Sequence, residues 1–206
     1  DTSLHNLICN QDNTEIKRQL ALDYIQQYEL HLQIYTDGSQ LHTGETGAAY
    51  HIPATSTEVK LKLSNNTSVI TAELLAIKSA LQFLATTDIA NTSIVIFTDS
   101  QSAIQLINNN QHLYTSIETD IQDLNTIITS TNLLTIAWIP SHVGIRGNEI
   151  ADKLAKSATT KPVIDISLPP SKTDSYNQID KMIDKEWQQR YDQSTTINHY
   201  RLIQPE

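Results

Sequence analysis

Ile34-Tyr35-Thr36-Asp37-Gly38-Ser39 and Ile94-Val95-Ile96-Phe97-Thr98-Asp99-Ser100 are the two stretches on which the fold turns. Each is a short apolar run that closes on Thr-Asp, and each reads as a buried strand that stops at a carboxylate. An acid at the mouth of a buried strand is costly unless a cation stands beside it. If the two strands are neighbours, two acids share one edge of one sheet. A divalent metal is the natural partner for that arrangement.

Outward from these strands the pattern is regular. Leu30-His31-Leu32-Gln33-Ile34 alternates and leads into Asp37 as a half-buried strand. Glycines at 38, 44 and 47 punctuate the turn into a second strand over 48–52, and Glu58-Val59-Lys60-Leu61-Lys62-Leu63 alternates again with both lysines on a solvated face. Three such strands predict an antiparallel meander. Residues 71–84 read as a helix with Thr71 as N-cap, and Glu73, Ala76, Ile77, Ala80 and Leu84 lie on one stripe, so Glu73 faces the sheet. The run 94–97 is apolar throughout, as in a strand covered on both faces. A short helix over 102–107, a break at Asn108-Asn109-Asn110, and a helix lined by Ile117, Ile121, Leu124 and Ile128 follow. A fifth strand over 133–139 and a helix over 146–158 complete a βββαβαβα order, an α/β domain with a mixed sheet. Before it, residues 14–28 have helical spacing and form an N-terminal helical extension (1–28). The domain itself is expected over 29–160. Pro162 and Pro169-Pro170 open a linker, and Tyr176, Ile179, Ile183, Trp187 and Tyr191 predict an amphipathic helix in the final segment, 161–206.

Composition narrows the function. The 206 residues suffice for a substantial core. No run approaches the roughly 18 apolar residues of a membrane span, so no membrane partner is expected. The start, Asp1-Thr2-Ser3-Leu4-His5, lacks the basic and hydrophobic regions of a secretory signal, and an intracellular setting is expected. Cys9 is the single cysteine, which excludes an internal disulfide and a cysteine-based zinc site. The net charge is −9, and no Lys or Arg occurs between Lys78 and Arg146, whereas Asp88, Asp99, Glu118, Asp120 and Asp123 lie there. Such a surface opposes non-specific binding to nucleic acid, which depends on cations facing phosphates. A polyanion would be held through metal ions, backbone amides and neutral side chains.

If the strands ending at Asp37 and Asp99 are adjacent and parallel, both acids lie at the carboxyl edge where α/β sheets bind ligands. Glu73 can reach the same edge from its helix. A fourth acid, Asp152, sits beside the apolar stripe of the last helix, after a Gly-containing loop that carries His142. The other histidines have no partner at ligand spacing.

These motifs resemble type I ribonuclease H. Thr36-Asp37-Gly38-Ser39, Ala72-Glu73-Leu74, Thr98-Asp99-Ser100 and His142 followed by Gly147-Asn148-Glu149-Ile150-Ala151-Asp152-Lys153-Leu154-Ala155 occur in the family's order. The resemblance spans roughly 30–158 and implies a ribonuclease H-like fold with a five-stranded mixed sheet flanked by helices. Thr71-Ala72-Glu73-Leu74-Leu75-Ala76-Ile77, Asp99-Ser100-Gln101-Ser102-Ala103 and Trp138-Ile139-Pro140-Ser141-His142-Val143-Gly144-Ile145 are similar to the domains of non-LTR (LINE-type) retrotransposon polyproteins. Those often continue into a tail such as Leu168-Pro169 and Trp187-Gln188.

The resemblance implies hydrolysis of the RNA strand of an RNA–DNA hybrid, leaving 5′-phosphate and 3′-hydroxyl ends. It further implies two Mg2+ ions, replaceable by Mn2+, on Asp37, Glu73, Asp99 and Asp152, with His142 aiding proton transfer or product departure. Gly38, Ser39 and Ser100 would contact substrate, and a reverse transcriptase domain of the same polyprotein is the expected partner. Two departures stand out. The region 108–119, where cellular members carry a basic protrusion, has no basic residue, and Val69 and Ile70 occupy slots that are often Asn or Gln. Two other classes compete: a catalytically silent structural domain of a retroelement polyprotein, and a related fold that acts on DNA. The first would be favoured by loss of an acid, and none is lost. The second is disfavoured by the His142 loop.

Overall fold

The computed structural model describes residues 1–8, 11–108, 115–169 and 172–193. Its elements, in chain order, are α1 (Ser3–Ile8), α2 (Thr14–Gln26), β1 (Leu32–Gln40), β2 (Thr46–Ile52), β3 (Thr57–Leu63), α3 (Val69–Thr86), β4 (Ser93–Thr98), α4 (Gln101–Asn108), α5 (Thr115–Thr129), β5 (Leu133–Trp138), α6 (Arg146–Ala158) and α7 (Lys172–Gln193). The five strands form one mixed sheet in the order β3-β2-β1-β4-β5. The meander pairs are antiparallel, while β1–β4 and β4–β5 are parallel. The fold is thus the expected α/β one, with helices on both faces. Asp1–Leu168 and Pro169–Glu206 are two compact units, and α7 belongs to the second.

The apolar run of β4 explains the layering. Successive side chains of a strand point to opposite faces, so Ile94 and Ile96 enter the core under α3 and α5, while Val95 and Phe97 enter the core shared by α1, α2 and α6. Phe97 is fully buried and stacks at 5.2 Å against Tyr35 of β1. Helix α1 escapes a reading by periodicity because six residues are too few to display it. Burial of Leu4 and Ile8 holds it in place, and Trp138 N–H donates to Asp1 O at 2.9 Å along the edge of β5. Helix α2 starts on Asn13, whose side chain accepts from Glu15 N at 2.9 Å.

Several local expectations change. Strand β1 does not stop at Asp37 but runs on to Gln40, because Gly38, Ser39 and Gln40 pair with Ala48, Gly47 and Thr46. Leu30 lies in a turn before the strand and is 90% exposed. The N-cap of α3 is Ser68, whose Oγ accepts from Thr71 N at 3.3 Å, and Thr71 is the third helical residue. Lys62 is not simply solvated: its Nζ donates to Lys161 O at 2.6 Å and its N–H to Asp165 Oδ2 at 2.6 Å. The chain after α6 therefore returns along β3, where Ile166 bridges Leu63. By length and composition α3 could cross a membrane, contrary to the reading of the sequence, yet 56% of that stretch is buried inside the protein. It is a core helix packed on β1 and α5. The break read at Asn109-Asn110 falls outside the described residues.

The cap assignment is open to a direct check. Ser68→Ala should lower the unfolding free energy by about 1 kcal/mol, and Ser68→Asp should retain most of it, as read by urea denaturation.

Candidate active site

Side-chain alternation places Asp37 on the same face of β1 as Tyr35, toward α6. Asp99 is the first residue beyond β4. The parallel register Thr36↔Thr98 brings the two aspartates side by side at the carboxyl edge. Glu73 arrives from the opposite face, one turn inside α3. Gly38 makes this possible: a β-carbon there would lie 2.6 Å from Glu73 N and 2.8 Å from Ala72 C, so no larger residue would let the helix approach. Oxygen atoms of Asp37, Glu73 and Asp99 all lie within 4.8 Å of one another.

These acids sit where their charges are penalised. Burial, then the charges of Asp99 and Asp152, push Asp37 up to about 8, against a smaller opposing effect of Lys156. Glu73 is raised well above the usual range by burial and by Asp37 and Asp99, with a Gly38 backbone hydrogen bond opposing. Asp99 is raised by burial, while the Asn148 hydrogen bond and the His142 charge favour its ionised form. One Glu73 oxygen, Oε2, is buried without a hydrogen-bond partner. Converging hard oxygens with an unpartnered acceptor fit a divalent ion of the Mg2+ or Mn2+ type.

Asp152 stands outside the trio. Both of its oxygens are held by Lys156 Nζ one helical turn on, at 2.8 and 2.9 Å. Its charge still reaches Asp37 and Asp99. His142 is exposed on the loop before α6, at a left-handed φ of 54°, and lies near enough to Asp99 to favour its carboxylate. Gly38 serves the strand–helix contact, and Ser39 continues the β1–β2 ladder opposite Gly47. Ser100 tightens the start of α4, with its N–H on Thr98 Oγ1 at 3.1 Å and its Oγ accepting from Ala103 N at 3.2 Å.

Three further residues contribute beyond those that the sequence motifs single out. Asn148, 4% exposed, donates from Nδ2 to Asp99 Oδ2 at 3.1 Å, and its Oδ1 is buried without a partner. Trp138 Nε1 donates to the Asp99 carbonyl at 3.0 Å. Lys156 is the third. Asn148 and Trp138 lie within the quoted motifs, and Lys156 follows Asp152 at the i,i+4 spacing of a helical ion pair, so that spacing was the available signal.

The raised acids set a pH dependence. An unfolded Asp titrates near 4, whereas folded Asp37 titrates near 8. The folded state therefore holds more protons between these values, and its stability falls as pH rises through the window. Thermal unfolding in EDTA should show a melting temperature that declines from pH 4 to 8. Asp37→Asn should flatten the decline, and Mg2+ should restore the loss at the alkaline end. A flat profile for the wild-type protein would count against the electrostatic reading.

A family model described as RNase H matches residues 29–160. The matched stretch carries all five strands, the three converging acids, Asp152 and the His142 loop. That family acts on the RNA strand of RNA–DNA hybrids and uses divalent metals. A match over more than half of the chain, on a fold of the same mixed-sheet design, means that the chain belongs to the RNase H family.

Proposed function

We propose that this chain is an endoribonuclease that hydrolyses the RNA strand of RNA–DNA hybrids and leaves 5′-phosphate and 3′-hydroxyl ends. The observation that carries the reading is the convergence of Asp37, Glu73 and Asp99 within 4.8 Å, the first two buried, the third half-buried, and the group short of positive charge. These three would hold Mg2+, or Mn2+ in its place, and Asp152 would complete the set for two ions by leaving Lys156. When bound, the metal supplies Lewis-acid stabilisation of an in-line displacement at phosphorus.

The chain's own residues do the rest. Asn148 keeps one Asp99 oxygen oriented, so the other is presented to the cluster. In hydrolysis a water oxygen bonds to phosphorus, the P–O3′ bond breaks and a proton ends on O3′. His142, exposed and close enough to influence Asp99, is suited to relay that proton. Glu73 and the backbone at Gly38-Ser39 would read the 2′-hydroxyl that distinguishes RNA from DNA. The likeness of the Trp138–Ile145 segment to retroelement polyproteins supports a reverse transcriptase domain of the same polyprotein as partner.

Labelled hybrid, double-stranded RNA and double-stranded DNA, offered with Mg2+, provide the test. The wild-type chain should cut only RNA within the hybrid, and Asp99→Asn should slow it by about a hundredfold or more. A folded wild-type protein that cuts nothing, or that cuts DNA, would refute the proposal. Asn148→Ala should raise the Mg2+ concentration needed for half-maximal cutting by about 10- to 100-fold, in a metal titration at saturating hybrid.

A further inference from the structure

A cleft of about 350 Å3 opens beside the His142 loop, and one of its walls is built by helices that precede the family-matched segment. His5 of α1 and Thr14 and Lys17 of α2 line it together with Trp138, Ser141 and His142. Arg18 lies against the same loop, where a β-carbon on Gly144 would stand 3.2 Å from its Nε. The loop takes left-handed backbone at both His142 (φ 54°) and Gly144 (φ 81°), and so bends close to α2. Its next residues lead to Arg146, exposed at the start of α6. The cleft also borders the acid cluster: Trp138, in edge-to-face contact with His5 at 5.2 Å, donates from Nε1 to the Asp99 carbonyl.

The remaining cations of the first unit show why this place matters. Lys78 is held by Asp120 at 2.6 Å, Lys156 by Asp152, and Lys62 and Lys161 donate to backbone carbonyls, while Lys60 and Lys153 are exposed on β3 and α6, outside this cleft. A hybrid whose scissile phosphate sits at Asp37 and Asp99 continues past the site, and the sequence between Lys78 and Arg146 has no cation for it. The side formed by α2 and the loop does. Arg18 touches Glu15 only at 3.4 Å, and both side chains are well exposed, so that pair is weak and readily exchanged for a phosphate.

We propose that this cleft is a phosphate-binding extension of the active site, in which Lys17 and Arg18, assisted by Arg146, hold backbone phosphates of the hybrid beyond the scissile position. The proposal rests on the hybrid being the substrate and says how an acidic chain grips it. The N-terminal helices then act in substrate binding as well as in packing.

The test compares the full chain with the double variant Lys17→Gln, Arg18→Gln. In Mg2+ the variant should cut with kcat unchanged and KM raised about tenfold. In Ca2+, with binding of a short labelled hybrid as readout, the slope of log Kd on log salt should shrink by about 2, near 0.9 for each phosphate that the variant leaves unneutralised. The charge-preserving pair Lys17→Arg, Arg18→Lys should behave as wild type, and equal melting temperatures show that folding is intact. Wild-type cutting with KM and salt slope unchanged in the double variant would overturn the cleft and leave the nuclease reading standing. Hybrid binding that depends on Lys17 and Arg18 without any cutting would support the cleft and refute the nuclease. Absence of hybrid binding by the wild-type chain would overturn the cleft.

Discussion

Two buried carboxylates and a half-buried one, forced together at the carboxyl edge of β1 and β4, are the constraint around which this protein is organised. At 4–5 Å, two full charges repel by roughly 3–4 kcal/mol even at an effective dielectric near 20. The trio persists because each acid is carried by an element that cannot retreat: Asp37 by a strand paired on both sides, Asp99 by the end of a strand buried on both faces, and Glu73 by a helix whose first turn presses on Gly38. Packing energy holds the acids in place, protons relieve their repulsion in the metal-free fold, and a divalent cation is the species suited to relieve it once they ionise.

The surrounding residues divide the remaining electrostatic work. Asn148 and Trp138 both tie Asp99, one at its carboxylate and one at its carbonyl, so the residue just past β4 has little freedom. Asp152 is instead committed to Lys156, which places the fourth acid and a cation at the rim. A rim built this way tolerates a change in bound charge better than the buried trio does, because partly exposed ion pairs rearrange at small cost.

The N-terminal helices are integral to the core. Leu4, Ile8, Ala21 and Tyr24 join Phe97, Val95 and Ala151 beneath the sheet. The same helices bring Lys17 and Arg18 to the loop of His142. Packing and charge thus come from one element. On the opposite face α3 and α5 are joined by the Lys78–Asp120 pair, with no further cation until Arg146. The asymmetry of charge follows the two layers of the fold.

By itself, the sequence determined the strand and helix order from α2 onward, the two-faced burial of β4, the inward stripe of α3 and the three acids that the fold brings together, because apolar periodicity and turn residues act within a few positions of the chain. The mixed sheet followed from where hairpins and helical crossovers were written. Only the tertiary structure decided the rest. Whether β1 ends at Asp37 depends on β2 offering partners to Gly38–Gln40, and whether Thr71 or Ser68 caps α3 depends on where the backbone turns into the helix. That Asn148 reaches Asp99 across 49 positions, that Asp152 leans on Lys156, and that α2 meets the His142 loop are contacts between side chains that only folding brings together. Periodicity shows which face an element buries, but hydrogen bonds and charge pairs form over about 3 Å, and only the packed fold sets distances that short.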